Sequence, residues 1–365
     1  MLSTIKSSIL KNSYFTETLL SWYPKHKRDL PWRNTHDPYI IWLSEIILQQ
    51  TRVAQGLPYF LAFAEQYPTV QDLAAAPSDE VLRLWQGLGY YSRARNLHFC
   101  AQEVTEKYGG TFPKNYRELL TLKGVGSYTA AAIASFAYGE AVAVVDGNVF
   151  RVLARYFGID TDIASPAGKK TFEKLANSLI PETQAGTFNQ AIMEFGSLQC
   201  TPKNPDCKSC PLAVGCEAFR QGRVGELPVK INKVKVKVRH LLYLYIYNQE
   251  KLVVNKRISG DIWEGLYDFP VIETAEIFDP GEKHALLEEL REMGIQVHWQ
   301  PERQFKHLLT HQRIFANFAA LRFSEASKNV LQDWCSKRDY QLIEKDAFEA
   351  LPKPKLILKY LEEGD

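Results

Sequence analysis

Between residue 1 and about 219 the apolar positions recur at helical spacing in short blocks. The blocks lie around Ile41 to Leu48, then near 57–66, 72–76, 79–86, 92–107, 116–121, 127–138, 148–156 and 169–179. Pro24, Pro31, Pro38, Pro68, Pro77 and Pro113 fall between them, where a fixed φ and a missing N–H cost a helix least. The pattern predicts an all-α first domain over 1–219. No repeat of roughly 20 to 50 residues suggests a solenoid.

Beyond Arg220 the pattern changes. Between Arg220 and Arg239 seven basic residues accompany a single acid, Glu226, and Gly222, Gly225 and Pro228 break any periodicity. The segment 220–239 reads as a basic linker. Its end, 234–239, alternates strictly and runs into a β-rich stretch over 242–247. Further strands are expected over 251–256, 263–271 and 313–323, with a helix over 283–293, so the second domain, 240–365, is expected to be α+β.

Composition narrows the class. The 365 residues suffice for two or three packed units. An apolar fraction of 45% with 24% charged residues excludes disordered, collagen-like and coiled-coil chains. No run approaches the roughly 18 uncharged apolar residues of a membrane span, and Lys6 and Lys11 interrupt the first segment with no cleavage signal behind it. A cytoplasmic protein without a membrane partner is the default. The net charge of +2 conceals a division: 1–240 carries 28 basic against 21 acidic residues, and 241–365 carries 16 against 21. A polyanionic partner for the first part fits this asymmetry, as does an accidental imbalance on a solvated surface.

Four of the six cysteines form a C-x6-C-x2-C-x5-C run: Cys200, Cys207, Cys210 and Cys216. Reduced thiols crowded into one loop point to metal coordination. An iron–sulfur cube accepts four thiolates at irregular spacing, whereas structural zinc favours two tight pairs and only Cys207 with Cys210 makes one. Zinc and unligated thiols stay as alternatives. Cys100 and Cys335 are isolated. Lys203, Lys208 and Arg220 place positive charge on or beside the same loop.

Two further segments carry chemistry. Over 122–130 (LKGVGSYTA), Gly124 and Gly126 permit a tight turn whose N–H groups, with the start of the next helix, can face a phosphate; a plain helix–turn–helix connection is the alternative. Over 144–149 (VVDGNV), Asp146 is well placed as a helix N-cap.

In this order, the 122–130 segment, the 144–149 segment and the four-cysteine run resemble the helix-hairpin-helix DNA glycosylases of the endonuclease III superfamily. The hairpin would span about 116–138 and the iron–sulfur loop 200–216. Lyases of that superfamily carry a Schiff-base lysine two residues after the hairpin's second glycine; Tyr128 stands there, which implies a glycosylase without strong lyase activity. The segments 30–33 (LPWR), 42–51 (WLSEIILQQT) and 87–94 (GLGYYSRA) narrow the resemblance to adenine DNA glycosylases of the MutY type.

That resemblance implies a monofunctional base-excision repair enzyme that flips adenine out of an A:8-oxoguanine or A:G mispair in double-stranded DNA and hydrolyses its glycosidic bond through an oxocarbenium-like transition state. It implies one 4Fe-4S cluster on the four cysteines and a bacterial, nucleoid-associated monomer whose protein partners are unknown. Glu45 would be the acid that protonates N7, and its neighbours Ile41, Trp42, Ile46, Ile47 and Leu48 suggest burial that raises its pKa. Asp146 would stay ionised and stabilise positive charge at the sugar, with Tyr128 and Asn148 orienting the carboxylates and water. Arg33, Trp32 and Gln190 would hold the adenine, Gln50 and Tyr90 would enter the base stack, and Thr51 and Leu88 would touch the DNA beside them. Gly124 and Gly126 would meet phosphate.

The second domain would be Nudix-like and read the 8-oxoguanine through Thr310 and His311, where the family usually has Phe-Ser-His and this chain has Leu309 before them. Only Glu288, Glu292 and Gly294 could be placed on a Nudix hydrolase signature over 286–295, so nucleotide hydrolysis is not expected. Read without the resemblance, Glu45 is also a solvent-facing helical acid, Trp32 a core anchor and Thr310 a strand-turn residue. A bifunctional pyrimidine glycosylase is opposed by Tyr128. A DNA-binding or redox-sensing protein has no need of both Glu45 and Asp146.

Overall fold

The computed structural model describes residues 2–231, 235–277, 284–299 and 304–363. Val234 and Lys283, the first positions expected of one strand and one helix, lie outside them. The chain divides into two compact units, 1–75 with 96–232 and 76–95 with 233–365. The 76–95 stretch therefore belongs with the C-terminal unit, although its periodicity is that of the helical blocks on either side.

The first unit is helical. Its Pro38–Leu48 helix is opened by Asp37, whose carboxylate accepts from the Tyr39 N–H at 2.8 Å, and by Pro38 at the first position. Tyr39 and every residue from Ile41 to Ile47 are buried, so the helix is covered nearly all round. It packs against the Val53–Gln66 and Ser127–Tyr138 helices.

Two long helices of this unit had no counterpart among the predicted blocks, Leu2–His26 and Ala185–Leu198. Pro24 sits inside the first of these near its end, not between elements; one lost backbone bond is set there against the burial of Phe15, Leu19, Trp22 and Tyr23. The hairpin consists of a single turn, Tyr116–Leu119, and the Ser127–Tyr138 helix.

The expected linker is in part attached to the first unit. Arg155 Nε donates to the Leu227 carbonyl at 3.0 Å, the Ile163 N–H to the Val229 carbonyl at 3.0 Å, and Leu227 is buried.

The second unit holds an eight-stranded sheet: β1 (Lys237–Tyr247), β2 (Lys251–Lys256), β3 (Tyr267–Asp268), β4 (Val271–Thr274), β5 (Gln296–Trp299), β6 (Phe305–Leu308), β7 (Gln312–Arg322) and β8 (Tyr340–Glu344). The central path runs β3-β2-β1-β7-β5, with β4 on β1, β6 on β7 and β8 on β2. The pairing β1–β7 is parallel, in register from Lys237 opposite Gln312 to Tyr247 opposite Arg322, and the other pairings are antiparallel. The single strand expected over 263–271 is instead a turn at 263–266 followed by two short strands, because Gly265 takes φ +82°. The Ala285–Glu292 and Lys328–Ser336 helices close one face with Leu287, Leu290, Leu331 and Trp334 against Leu242, Leu244 and Ile246. This is the α+β unit expected.

Candidate active site

A cavity of about 370 Å³ opens in the first unit where the Pro31–Arg33 turn meets side chains from five helices. Its wall includes Trp32, Arg33, Glu45, Tyr128, Asp146 and Asn148. Glu45 is buried on the Pro38–Leu48 helix. Tyr128, in the first turn of the facing helix, donates to Glu45 Oε2 at 2.6 Å. Burial pushes the Glu45 carboxyl up to about 7; the Tyr128 hydrogen bond and Arg33 draw it down, and the Asp146 charge pushes it further up.

Asp146 is at once an N-cap and a cavity residue. Oδ1 accepts from the Val149 N–H at 2.8 Å and Oδ2 from Asn148 Nδ2 at 2.8 Å, at the start of the Gly147–Phe157 helix. Its pKa is raised, because burial outweighs these hydrogen bonds and Arg151. Tyr128 is raised well above the ordinary phenol by burial and by the Glu45 and Asp146 charges, so it serves as a hydrogen-bond donor.

Of the residues expected to hold a base, Trp32 is buried edge-on to Phe60 at 4.9 Å, and its ring anchors the turn as well as lining the cavity. Arg33 donates Nη1 and Nη2 to Glu194 at 2.9 and 2.6 Å and Nη1 to the Arg28 carbonyl at 3.1 Å, so its fork is spent inside the wall. Gln190 lines the cavity with Oε1 accepting from the Tyr23 hydroxyl at 2.5 Å.

Sequence reasoning missed Glu194, Arg28 and Arg151. Arg151 donates to Asn148 Oδ1 at 2.8 Å, to the Gly196 carbonyl at 2.6 Å and to the Cys200 carbonyl at 2.8 Å, so one side chain spans from the Asp146 cap to the cysteine loop. No local signal marks any of the three, because their roles exist only through contacts between distant segments.

Cys200, Cys207, Cys210 and Cys216 follow the Ala185–Leu198 helix and are half-buried. Burial raises the Cys207, Cys210 and Cys216 thiols, and the sulfurs raise one another further, so the four are close neighbours. Arg155 Nη1 donates to Cys200 Sγ at 3.4 Å. Among the described residues no three His, Cys, Asp or Glu side chains converge as a single-ion site would need.

The HhH-GPD superfamily of base excision DNA repair proteins matches residues 43–182, and the NUDIX domain family matches 242–363. An adenine DNA glycosylase of Buchnera aphidicola subsp. Baizongia pistaciae is 34% identical over 83% of this chain and 84% of its own length. The chain belongs to the adenine DNA glycosylase family. The Homo sapiens member is 46% identical over 56% of this chain and 39% of its own. A thermostable thymine-DNA glycosylase superposes with a TM-score of 0.55 at 32% identity, covering 59% of this chain and 99% of that one. Endonuclease III in a non-covalent DNA complex gives 0.50 at 25%, over 57% and 95%.

For this family member, the residues expected at DNA fall in both units, each described in its own. In the first, Gln50 is exposed with φ +55° and Thr51 lines the cavity mouth beside it. Gly124 takes φ +78°, and a Cβ there would lie 2.7 Å from Asn96 Cβ. Gly126 needs no positive φ; it is the N-cap of the Ser127–Tyr138 helix, with open space where a Cβ would point. In the second unit Tyr90 is exposed with φ +51°, and its hydroxyl is hydrogen-bonded to that of Thr310 at 3.0 Å. His311 is exposed in the same turn between β6 and β7. Leu88 is a correction: it is buried between Gly87 and Gly89, whose positive φ values turn the loop so that this side chain faces inward.

Glu288 pairs with Arg291 at 2.6 Å on the Ala285–Glu292 helix, and Glu292 and Gly294 are exposed. No helix among the described residues is long and apolar enough to cross a membrane.

Proposed function

We propose that the chain excises adenine mispaired with 8-oxoguanine or guanine in duplex DNA by hydrolysis, without strand cleavage of its own. The observation that carries this reading is the buried Glu45–Tyr128 pair facing a capped Asp146 across one cavity. Two carboxyl groups with distinct surroundings match an acid and a charge stabiliser. Glu45, half protonated near neutral pH, gives its proton to adenine N7. The C1′–N9 bond then breaks with its electrons passing into the base. Asp146, held by Asn148 and the Val149 N–H, faces the positive charge that develops at C1′. Water adds to C1′, and its proton returns to Glu45. Without a lysine at position 128 the cavity offers no amine for a Schiff base there.

Trp32 and Gln190 are the side chains we assign to the flipped adenine, with Arg33 acting from inside the wall. Gln50, Thr51, the Gly124–Gly126 turn and the backbone at Leu88 are assigned to DNA, with Tyr90 at the base stack. Thr310 and His311 are assigned to the 8-oxoguanine.

The donor set of the 200–216 loop fits a 4Fe-4S cluster. It supplies four crowded thiols and has Arg155 donating to one sulfur to offset thiolate charge. Bound there, the cluster would cross-link the loop; the reaction's proton transfers belong to Glu45. A monomer acting beside the nucleoid completes the reading.

A single-turnover assay on A:8-oxoguanine, A:G, A:C and thymine-glycol duplexes, with and without hot alkali, tests it. Strand breaks at A:8-oxoguanine only after alkali support the proposal. Breaks at thymine glycol without alkali would replace it with a lyase.

A further inference from the structure

Glu194 is the most heavily hydrogen-bonded carboxylate on the cavity wall, and the catalytic scheme above gives it no part. It is 1% exposed on the Ala185–Leu198 helix. Oε1 accepts from the Arg28 N–H at 2.9 Å, Arg28 Nε at 2.8 Å and Arg33 Nη1 at 2.9 Å; Oε2 accepts from Arg28 Nη2 and Arg33 Nη2, both at 2.6 Å. Five donors leave no lone pair to meet a substrate. Burial alone would raise the carboxyl, but the two arginines hold it down at about 2, which removes it as an acid or base at working pH.

The charged and titratable groups around Glu45 come from separate elements. They are Arg33 of the Pro31–Arg33 turn, Tyr128 of the Ser127–Tyr138 helix and Asp146 at the Gly147–Phe157 cap, with Arg28, Arg52 and Glu194 further round the wall. Arg33 is the cation that acts on Glu45, and it favours the ionised form. An unpaired guanidinium at that place would draw the acid further toward its ionised form.

We propose that Glu194 is a positioning residue for base excision: it pins Arg28 and Arg33 into the wall and cancels the Arg33 charge, so that Glu45 keeps a proton to donate. The proposal rests on Glu45 being the acid. It accounts for a buried ion cluster beside a reacting group without giving that cluster a contact to the base. It also assigns Arg33 a different task from holding adenine, since its fork is directed at Glu194.

The test is the pH dependence of single-turnover adenine release by the full iron-loaded chain. In Glu194→Gln the alkaline limb, set by Glu45, is expected to move acid by about one unit, which is a loss of roughly tenfold at pH 7.5 and little loss at pH 5.5. Glu194→Asp keeps the charge and is expected to keep the limb in place even if the rate falls. Removing both charges in Glu194→Gln/Arg33→Met is expected to return the limb toward its original position. Arg28→Gln, at a partly exposed side chain, serves should Glu194→Gln not fold; it leaves Glu194 to Arg33 alone and is expected to move the limb alkaline. An equal loss at every pH in Glu194→Gln, or an unmoved limb in Arg28→Gln, would overturn the proposal. A wild-type profile with no limb near neutrality, together with an active Glu45→Gln, would instead overturn the assignment of Glu45 and this proposal with it.

Discussion

In the proposed reaction Glu45 is the acid, and its burial has two measurable consequences. As an acid with a pKa of about 7, it should make the single-turnover rate fall tenfold per pH unit above neutrality. Glu45→Gln should slow base release by about 10² to 10⁴ while leaving duplex binding intact, as seen by comparing cleavage with filter binding or anisotropy. The substitution should change stability in the opposite sense to activity. A carboxyl whose pKa is raised on folding binds more protons in the native state between about pH 4.5 and 7, so stability falls as pH rises through that window. Above it Glu45 costs about 3 kcal/mol, and Glu45→Gln should melt higher than wild type at pH 8 but not at pH 4. The burial was expected from the apolar residues flanking Glu45 together with the resemblance; read alone, a glutamate on that helix faces solvent as readily. The Arg28–Glu194–Arg33 cluster was not legible, since a glutamate on a helix looks the same whether its partners are water or two distant arginines.

At the scale of elements, the site depends on close approaches that only glycine allows. A Cβ on Gly196 would come within 2.6 Å of Asn148 Cβ, so the Ala185–Leu198 helix lies directly against the start of the Gly147–Phe157 helix. Gly196→Ala should therefore displace Asn148 and Asp146, lowering the excision rate with little change in duplex affinity, which a rate-against-binding comparison reads directly. Gly124→Ala should do the reverse. With φ +78° and Asn96 in the way, it strains the hairpin turn by about 1–2 kcal/mol and should weaken duplex binding more than catalysis. The hairpin glycines stood out in the sequence because two of them punctuate otherwise helical blocks. The Ala185–Leu198 helix did not, because Gly186 and Gly196 read as breaks when no partner is in view, and their function is to admit a neighbouring backbone.

Across the whole molecule the chain forms two compact units. In the sheet-containing unit the Tyr90 and Thr310 hydroxyls are bonded to each other. Thr310→Ala should reduce the ratio of A:8-oxoguanine to A:G excision rates under single turnover while leaving A:G excision itself near wild type. In the helical unit Cys210→Ser should lose iron, measured by absorbance and metal content, and with it duplex affinity. What the chain determines locally could be read along it: helices before strands, because 3.6 and 2 are distinct periods; a loop that gathers four cysteines, because their spacing is covalent; and a carboxylate that caps a helix, because its neighbours in sequence set its surroundings. Tertiary structure alone decided that 76–95 joins the sheet-containing unit, that Leu88 turns inward, and that Glu194 holds two arginines beside Glu45. Those outcomes depend on contacts between segments far apart in the chain, and such contacts leave no period or spacing in the sequence.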